Sequence, residues 1–351
     1  MSRTPQAGLD EVAVVIPTRD RWRLLRTALA SALAQTHVRV DVVVVDDGSS
    51  DQTIRELSAM DDARLRVLRH DHPQGVSAAR NFGLARVTAP WVAFLDDDDV
   101  WAPGHLSAML DAIRRSSVPR DRVGLVFSGH LDLDADREVT NVSPAAPAES
   151  IREGLKRMNA VGSPSRVLLS TEAVNTAGGF DPRLSIVADW DLWIRVLAGY
   201  DAVRCPELLV GYMHHPGNMH LDAQRFVADA ATLRRKHGWS NELRQDAVFG
   251  DLLPSHIAAT QRARGRRIPA ARWYARSFRA RRRGAPRGAV HRALGTARAR
   301  HRRPDSRPMA RGRAPCRAWG GILVLRSPAL PDAQPCGSAA GSRRRDVSRA
   351  R

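Results

Sequence analysis

Residues 12–16 (Val-Ala-Val-Val-Ile) are an unbroken apolar run closed by Pro17, the pattern of a strand buried on both faces. Leu24, Leu25, Ala28, Leu29, Ala32 and Leu33 then recur at helical spacing, which predicts an amphipathic helix over about 21–35 with Asp20 as N-cap. The cycle repeats. A second apolar run at 42–45 ends in Asp46-Asp47-Gly48-Ser49-Ser50-Asp51, with Ser50 or Asp51 placed to cap a helix over 52–60. Strands at 65–68, 91–95 and 124–127 and helices at 76–86 and 105–115 follow. Residues 143–149 read as a loop from their Ser, Pro and Ala content. Beyond it the pattern predicts a strand at 166–169, a helix at 171–176 and a turn at Gly178-Gly179-Phe180-Asp181. Next come a helix at 189–197 with Trp190, Trp193, Ile194 and Leu197 on one face as core, and a last helix at 221–236.

Apolar strands alternating with helices predict an α/β fold with a mostly parallel sheet covered on both faces. No Gly-x-Gly-x-x-Gly follows the first strand and no GxxxxGK[ST] loop occurs, which argues against a dinucleotide-binding fold and a P-loop enzyme. At 351 residues and 43% hydrophobic, the chain has material for a sizeable core. No apolar run approaches the ~20 residues of a membrane helix. The first eleven residues lack a signal-peptide pattern, and Cys205, Cys316 and Cys336 form neither a metal spacing nor a disulfide framework. These features predict a cytoplasmic protein. The net charge of +18 is uneven: residues 262–351 hold 26 arginines and three acids, a net +23, which leaves −5 for residues 1–261. An Arg-rich segment of this kind suits an anionic membrane surface. It is equally the composition of a solvated tail, or of GC-rich DNA read in another frame, and nucleic acid is not the expected partner.

The strand at 91–95 ends in Asp96-Asp97-Asp98-Asp99. Four adjacent carboxylates repel one another, and a divalent cation among them reverses the penalty. Hard cations take oxygen ligands, commonly one or two carboxylates plus the phosphates of a substrate. In open α/β sheets ligands bind beyond the carboxyl ends of strands, so the run predicts a metal–phosphate site at a strand end.

Several segments together resemble family 2 glycosyltransferases: residues 12–18, Ser31–Thr36 (Ser-Ala-Leu-Ala-Gln-Thr), Val43 to Asp51, Gly75 to Leu84, Phe94 to Trp101, Gly178 to Asp181, Asp189-Trp190-Asp191-Leu192-Trp193 and His215-Pro216-Gly217-Asn218-Met219. The resemblance implies a GT-A fold, a nucleotide-sugar donor (UDP-, dTDP- or GDP-sugar), Mg²⁺ or Mn²⁺, and inversion at the anomeric carbon. It implies a transferase of the hexosyl type acting on a saccharide, lipid-linked or small-molecule acceptor, at the cytoplasmic face of a membrane. The resemblance covers about residues 12–220 and, with the composition, divides the chain into a transferase domain at 1–240 (nucleotide half about 11–130, acceptor half about 131–240), a helical extension at 241–280 and an Arg-rich tail at 281–351.

Position by position, Asp47 matches the acceptor of a hydrogen bond from the base, and Pro17, Thr18 and Arg19 line the base pocket. Arg80 reaches the nucleotide or diphosphate. Asp96 and Asp98 are the two acids of D-x-D, with Asp97 between them on the donor side. Asp98 is the metal ligand, and His215 contacts metal or diphosphate. Asp189 is the catalytic base, with Asp191 a rival. The family often has Glu-Asp at this point, whereas here Ala188 precedes Asp189. The chemistry requires a carboxylate that accepts the acceptor's proton and a cation that stabilises the leaving diphosphate. It also requires a covering segment against hydrolysis, for which residues 143–149 or the segment after Tyr212 are candidates. Two competing readings are a nucleotidyltransferase on a similar fold and a decayed nucleotide- or anion-binding protein. The first usually carries a lysine near the first strand, whereas the only lysines here are Lys156 and Lys236.

Overall fold

The computed structural model describes residues 9–215 and 217–239. The expected extension at 241–280, the Arg-rich segment at 281–351, Cys316 and Cys336 lie outside the described residues. Within them the order is β1 (Glu11–Thr18), α1 (Trp22–Leu33), β2 (Arg39–Asp46), α2 (Thr53–Ser58), β3 (Leu65–Arg69), α3 (Val76–Leu84), β4 (Trp91–Phe94), β5 (Val100–Trp101), α4 (His105–Arg115), β6 (Val123–Leu133), β7 (Val139–Ser143), α5 (Ile151–Leu155), β8 (Val167–Ser170), α6 (Thr171–Thr176), α7 (Ala188–Gly199), β9 (Asp201–Met213) and α8 (Ala223–Lys236). The strands form one sheet in the order β3-β2-β1-β4-β8-β6-β9-β5, with β7 paired to β6.

The period-2 geometry of strands explains the unbroken apolar runs. Val12, Val14, Ile16, Val42 and Val44 pack on one side with Leu25 and Leu29 of α1 and Leu106 and Met109 of α4. Ala13, Val15, Val43 and Val45 pack on the other with Ala79 and Leu84 of α3, Val174 of α6 and Trp193 and Val196 of α7. Both faces are covered, so no polar residue interrupts β1. Gly83 brings α3 hard against the sheet: a Cβ there would stand 2.5 Å from Val15 Cγ1 and 3.0 Å from Val45 Cγ2.

The ladders β1–β2, β1–β4 and β2–β3 are all parallel. Parallel pairing brings the carboxyl ends of β1, β2 and β4 to one edge, with Thr18 beside Asp46 and Leu95 bonded to Val15. Beyond β4 the sheet becomes mixed, with β8 antiparallel to β4 and β6 and with β9 parallel to β6. The mostly parallel expectation therefore describes the first four strands and not the second half. Residue 143 is the end of β7 and residues 148–150 form a 3₁₀ turn, so the 143–149 loop is shorter than expected.

Two expected caps are corrected. Asp20 does not cap α1, whose N-cap is Arg21 without a side-chain bond. Asp20 sits at φ 52 and its carboxylate accepts from the Ser50 and Asp51 N–H groups at 2.7 and 3.2 Å, binding the β1 and β2 turns together. The N-cap of α2 is Gln52, while Asp51 accepts from Thr53 N at 2.9 Å from one position earlier. Trp190 and Trp193 are core as expected, 4% and 0% exposed, each with its indole N–H spent on a backbone carbonyl.

Candidate active site

An open cleft of about 640 Å³ runs along the carboxyl edge of the sheet. Pro17, Thr18, Arg19, Asp47, Arg80, Asp96, Asp97, Asp98 and Asp189 line it. His215 is not among the lining residues, but it touches one of them through Asp98.

At one end, Asp47 follows β2 directly. Its carboxylate accepts from His70 Nδ1 at 2.7 Å, Gln74 N at 2.9 Å and Gly75 N at 2.8 Å. Burial pushes this carboxyl up, but these hydrogen bonds outweigh it and hold Asp47 below the usual carboxylate range. The turn depends on Gly48, whose φ is +73 and where a Cβ would stand 2.9 Å from Pro73 N. That close approach lets the 70–75 segment fold onto Asp47.

At the centre, the four acids after β4 separate into different environments. Asp96 pairs with Arg80 Nη2 at 2.5 Å. Arg80 is only 5% exposed and lies over the Phe180 ring at 5.0 Å, so it is a site residue held by packing as well as charge. Asp97 turns inward, accepting from Thr18 Oγ1 at 2.7 Å and from Arg21 Nη1 at 3.2 Å. Asp98 accepts from the same Arg21 Nη1 at 3.2 Å and lies 2.9 Å from His215 Nε2. Asp99 is buried, with Met213 N at 3.3 Å. Burial, then repulsion from Asp98, raises Asp97 to about 7, and burial with its acidic neighbours raises Asp99 well above an ordinary aspartate. Burial also raises Asp96 against the pull of Arg80. The turn is a concentrated negative potential that favours a cation.

Asp98 and His215 bring an oxygen and a nitrogen donor within 2.9 Å of each other. No group of three or more His, Cys, Asp or Glu side chains suited to a metal occurs among the described residues. The pair offers two ligands of the kinds a divalent cation takes.

At the other end, Asp189 occupies the first turn of α7 and is 9% exposed. It accepts from its neighbour's Trp190 N at 2.7 Å and from Asn159 Nδ2 at 2.9 Å. Burial pushes its carboxyl up to about 7 despite those bonds. Asp191, two residues on, is fully buried outside the cleft. It is held by Arg195 at 2.7 Å, Lys236 at 2.9 Å and His237 at 2.9 Å.

The sequence reading missed Arg21, which clamps Asp97 and Asp98 and also donates to Gly217 O at 2.9 Å. It missed Asn159 and Arg166 as well. Arg21 had a signal, since it lies two residues after Arg19 in the same turn; Asn159 and Arg166 had none. Of the two covering segments considered, the one after Tyr212 reaches the cleft through Asn218 and Met219, whereas none of 143–149 lines it. The neighbouring Asp132 of β6 takes His130 at 3.3 Å and His214 at 3.0 Å.

Comparison with known proteins gives a consistent picture. Residues 13–119 match the glycosyl transferase family 2 model. An uncharacterized glycosyltransferase of Nostoc sp. is 34% identical over 142 residues, 39% of this chain and 42% of its own. A UDP-Glc:alpha-D-GlcNAc-diphosphoundecaprenol beta-1,3-glucosyltransferase of Escherichia coli, WfgD, is 27% identical over 107 residues, 30% of this chain and 42% of its own. Each match thus spans 42% of the relative's length. A mannosyltransferase from Pyrobaculum calidifontis, solved with GDP-Man and Mn²⁺, has a TM-score of 0.50 at 20% identity, covering 83% of this chain and 81% of its own. That likeness shows a shared GT-A fold.

Proposed function

Starting from a chain whose residues 13–119 match the glycosyl transferase family 2 model and which has a GT-A fold, we propose that it is an inverting glycosyltransferase. It moves a hexosyl group from a nucleoside-diphosphate sugar to an acceptor hydroxyl. The observation that carries this reading is the cleft's layout. A carboxyl raised to about 7 at Asp189 shares one cavity with the Asp47 end and the acidic turn.

Asp47 and the backbone of Pro17 to Arg19 hold the base. Arg80 contacts the diphosphate and keeps Asp96 in place. Asp98 and His215 hold Mg²⁺ or Mn²⁺, which when bound supplies positive charge to the leaving diphosphate. Asp189 faces the acceptor and takes the proton of its hydroxyl as the new C–O bond forms, while the C–O bond to the diphosphate breaks. A sugar hydroxyl is a weak acid, so this transfer comes late, and a carboxyl near pH 7 in affinity is suited to accept and then release it. The cleft's preorganised arms supply alignment. Asp189 is favoured over Asp191 because Arg195, Lys236 and His237 hold the Asp191 carboxylate away from the cavity.

Named activities among the relatives support a role in cell-surface polysaccharide or lipid-linked glycan assembly. No helix among the described residues is long and apolar enough to cross a membrane. The arginines after residue 261 would give peripheral contact with an anionic inner leaflet. The domain limits are proposed as 1–240 for the transferase, divided near residue 130.

Calorimetric titration of the full-length protein with UDP, dTDP and GDP, with and without Mn²⁺ or Mg²⁺, tests the proposal. One nucleotide should bind with metal dependence, and Asp98→Ala should remove that dependence. A folded protein that binds none of the three would overturn the reading in favour of a decayed binding protein.

A further inference from the structure

Five arginines line the cleft: Arg19, Arg21, Arg80, Arg166 and Arg225. Arg19, Arg21 and Arg80 each lie against a carboxylate, and Arg225 is exposed to water. Arg166 differs. It is only 8% exposed, yet it makes no salt bridge with a described residue. Its Nε and Nη2 both donate to a single neutral acceptor, Ser128 O, at 2.9 and 2.7 Å. Desolvation pushes the guanidinium down to about 10. A buried cation with no direct ion pair, whose neighbouring carboxylate Asp132 acts only through space, is costly. Where it borders a cleft, an incoming anion offsets that cost with charge-assisted hydrogen bonds.

The position of Arg166 assigns the anion to the acceptor rather than the donor. A Cβ on Gly162, whose φ is +97, would stand 2.4 Å from Arg166 Nη1, so the guanidinium packs over this glycine. Gly162 N donates to Asn159 Oδ1 at 3.0 Å, and Asn159 Nδ2 donates to Asp189 Oδ2 at 2.9 Å. Contacts through Gly162 and Asn159 thus link Arg166 to the proposed base, and Arg166 and Asp189 line the same cleft. The base-binding carboxylate Asp47 is held by a different group, His70, Gln74 and Gly75. Asp132, the carboxylate that acts on Arg166 through space, is already engaged by His130, His214 and Asn141.

Resting on the transferase reading, we propose that Arg166 binds a phosphate or carboxylate of the acceptor, so that the acceptor is an anionic saccharide and not a neutral one. The test uses full-length protein saturated with Mn²⁺ and the nucleoside diphosphate it binds, titrated with glucose 1-phosphate, glucuronate and glucose. One anionic probe should bind at least about tenfold more tightly than glucose, without displacing the nucleotide. A preference for glucose 1-phosphate assigns phosphate, and a preference for glucuronate assigns carboxylate. Arg166→Gln should erase the preference while leaving nucleotide affinity within about twofold. Arg166→Lys, which keeps the charge but not the planar fork, should retain part of it. Circular dichroism reports whether each variant folds, and if the Gln variant does not, the reduced preference of the Lys variant decides. Failure of every nucleotide to bind would overturn the transferase reading. Nucleotide binding with no anionic preference, or a preference that survives in Arg166→Gln, would overturn this inference alone.

Discussion

Replacing Asp189 with Asn should remove both the rate and its pH dependence. A carboxyl that titrates near 7 is ionised to roughly one-tenth at pH 6 and nine-tenths at pH 8, so kcat/KM should rise about tenfold across that interval. An ordinary aspartate at 3.8 would give a flat profile over the same range. The sign follows from the role: a base works when deprotonated, so activity grows as pH rises through the carboxyl's own value. Asn is nearly isosteric and cannot take a proton. The loss expected for a general base is about 10²–10⁴ in rate, or roughly 3–5 kcal/mol of barrier. The assay is initial release of nucleoside diphosphate from the donor identified by titration, measured from pH 5.5 to 8.5. Asp97 also titrates near 7, so Asp97→Asn serves as the control and should keep the limb. An Asp189→Asn enzyme within tenfold of the parent rate, or one that retains the limb, would refute the assignment, and a matching collapse in Asp191→Asn with intact folding would transfer the role to Asp191.

Asp47→Ala should weaken nucleotide binding at least tenfold by calorimetry. It should also lower stability in urea by about 1–3 kcal/mol, because the Gln74 and Gly75 N–H groups lose their acceptor. Arg21→Gln should tighten Mn²⁺ binding in the absence of nucleotide, since the guanidinium occupies the Asp98 oxygen that faces His215; unchanged affinity by Mn²⁺ paramagnetic resonance would show that it does not compete. His105 is fully buried, stacked on Trp101, with neither ring nitrogen bonded among the described residues, and burial lowers it to about 3. The unfolded chain alone takes up this proton below about 6.5, so stability should be full above that pH. It should fall as pH drops toward 3, by on the order of 4 kcal/mol in all, and His105→Leu should flatten this slope in urea melts.

The strands around the nucleotide end were legible because burial on both faces leaves an unmistakable apolar run, as in β1 and β2. β7 and β9 were not. β7 is exposed along four of its five residues and carries no hydrophobic contrast, and β9 contains Arg204, Pro206 and Glu207 within its span. Their pairing is decided by neighbouring strands rather than by local pattern. In the candidate site, Asp47, Asp96 and Asp98 sit at strand ends, where position along the sequence predicts position in space. Asn159 lies between elements and Arg166 ends a 3₁₀ turn ahead of β8, and hydrogen bonds through Asn159 tie this segment to Asp189. Asp20 fails as a cap for a related reason: its short carboxylate found N–H groups of the next turn instead of its own helix.

The ion cluster around Asp191 sets a boundary that the cleft itself does not reveal. Every described residue lining the cavity precedes position 226. Yet the helix that carries Asp189 is anchored by Lys236, which reaches both Asp181 at 2.8 Å and Asp191 at 2.9 Å, and by His237 on the remaining Asp191 oxygen. A protease cut just ahead of Lys236 would leave the described cavity lining in place while stripping counter-charge from two buried carboxylates, a penalty of about 3–5 kcal/mol for a broken buried pair. On the proposed function, a fragment meant to keep the site intact therefore ends no earlier than His237, a dozen residues beyond Arg225, the last described residue of the cavity lining.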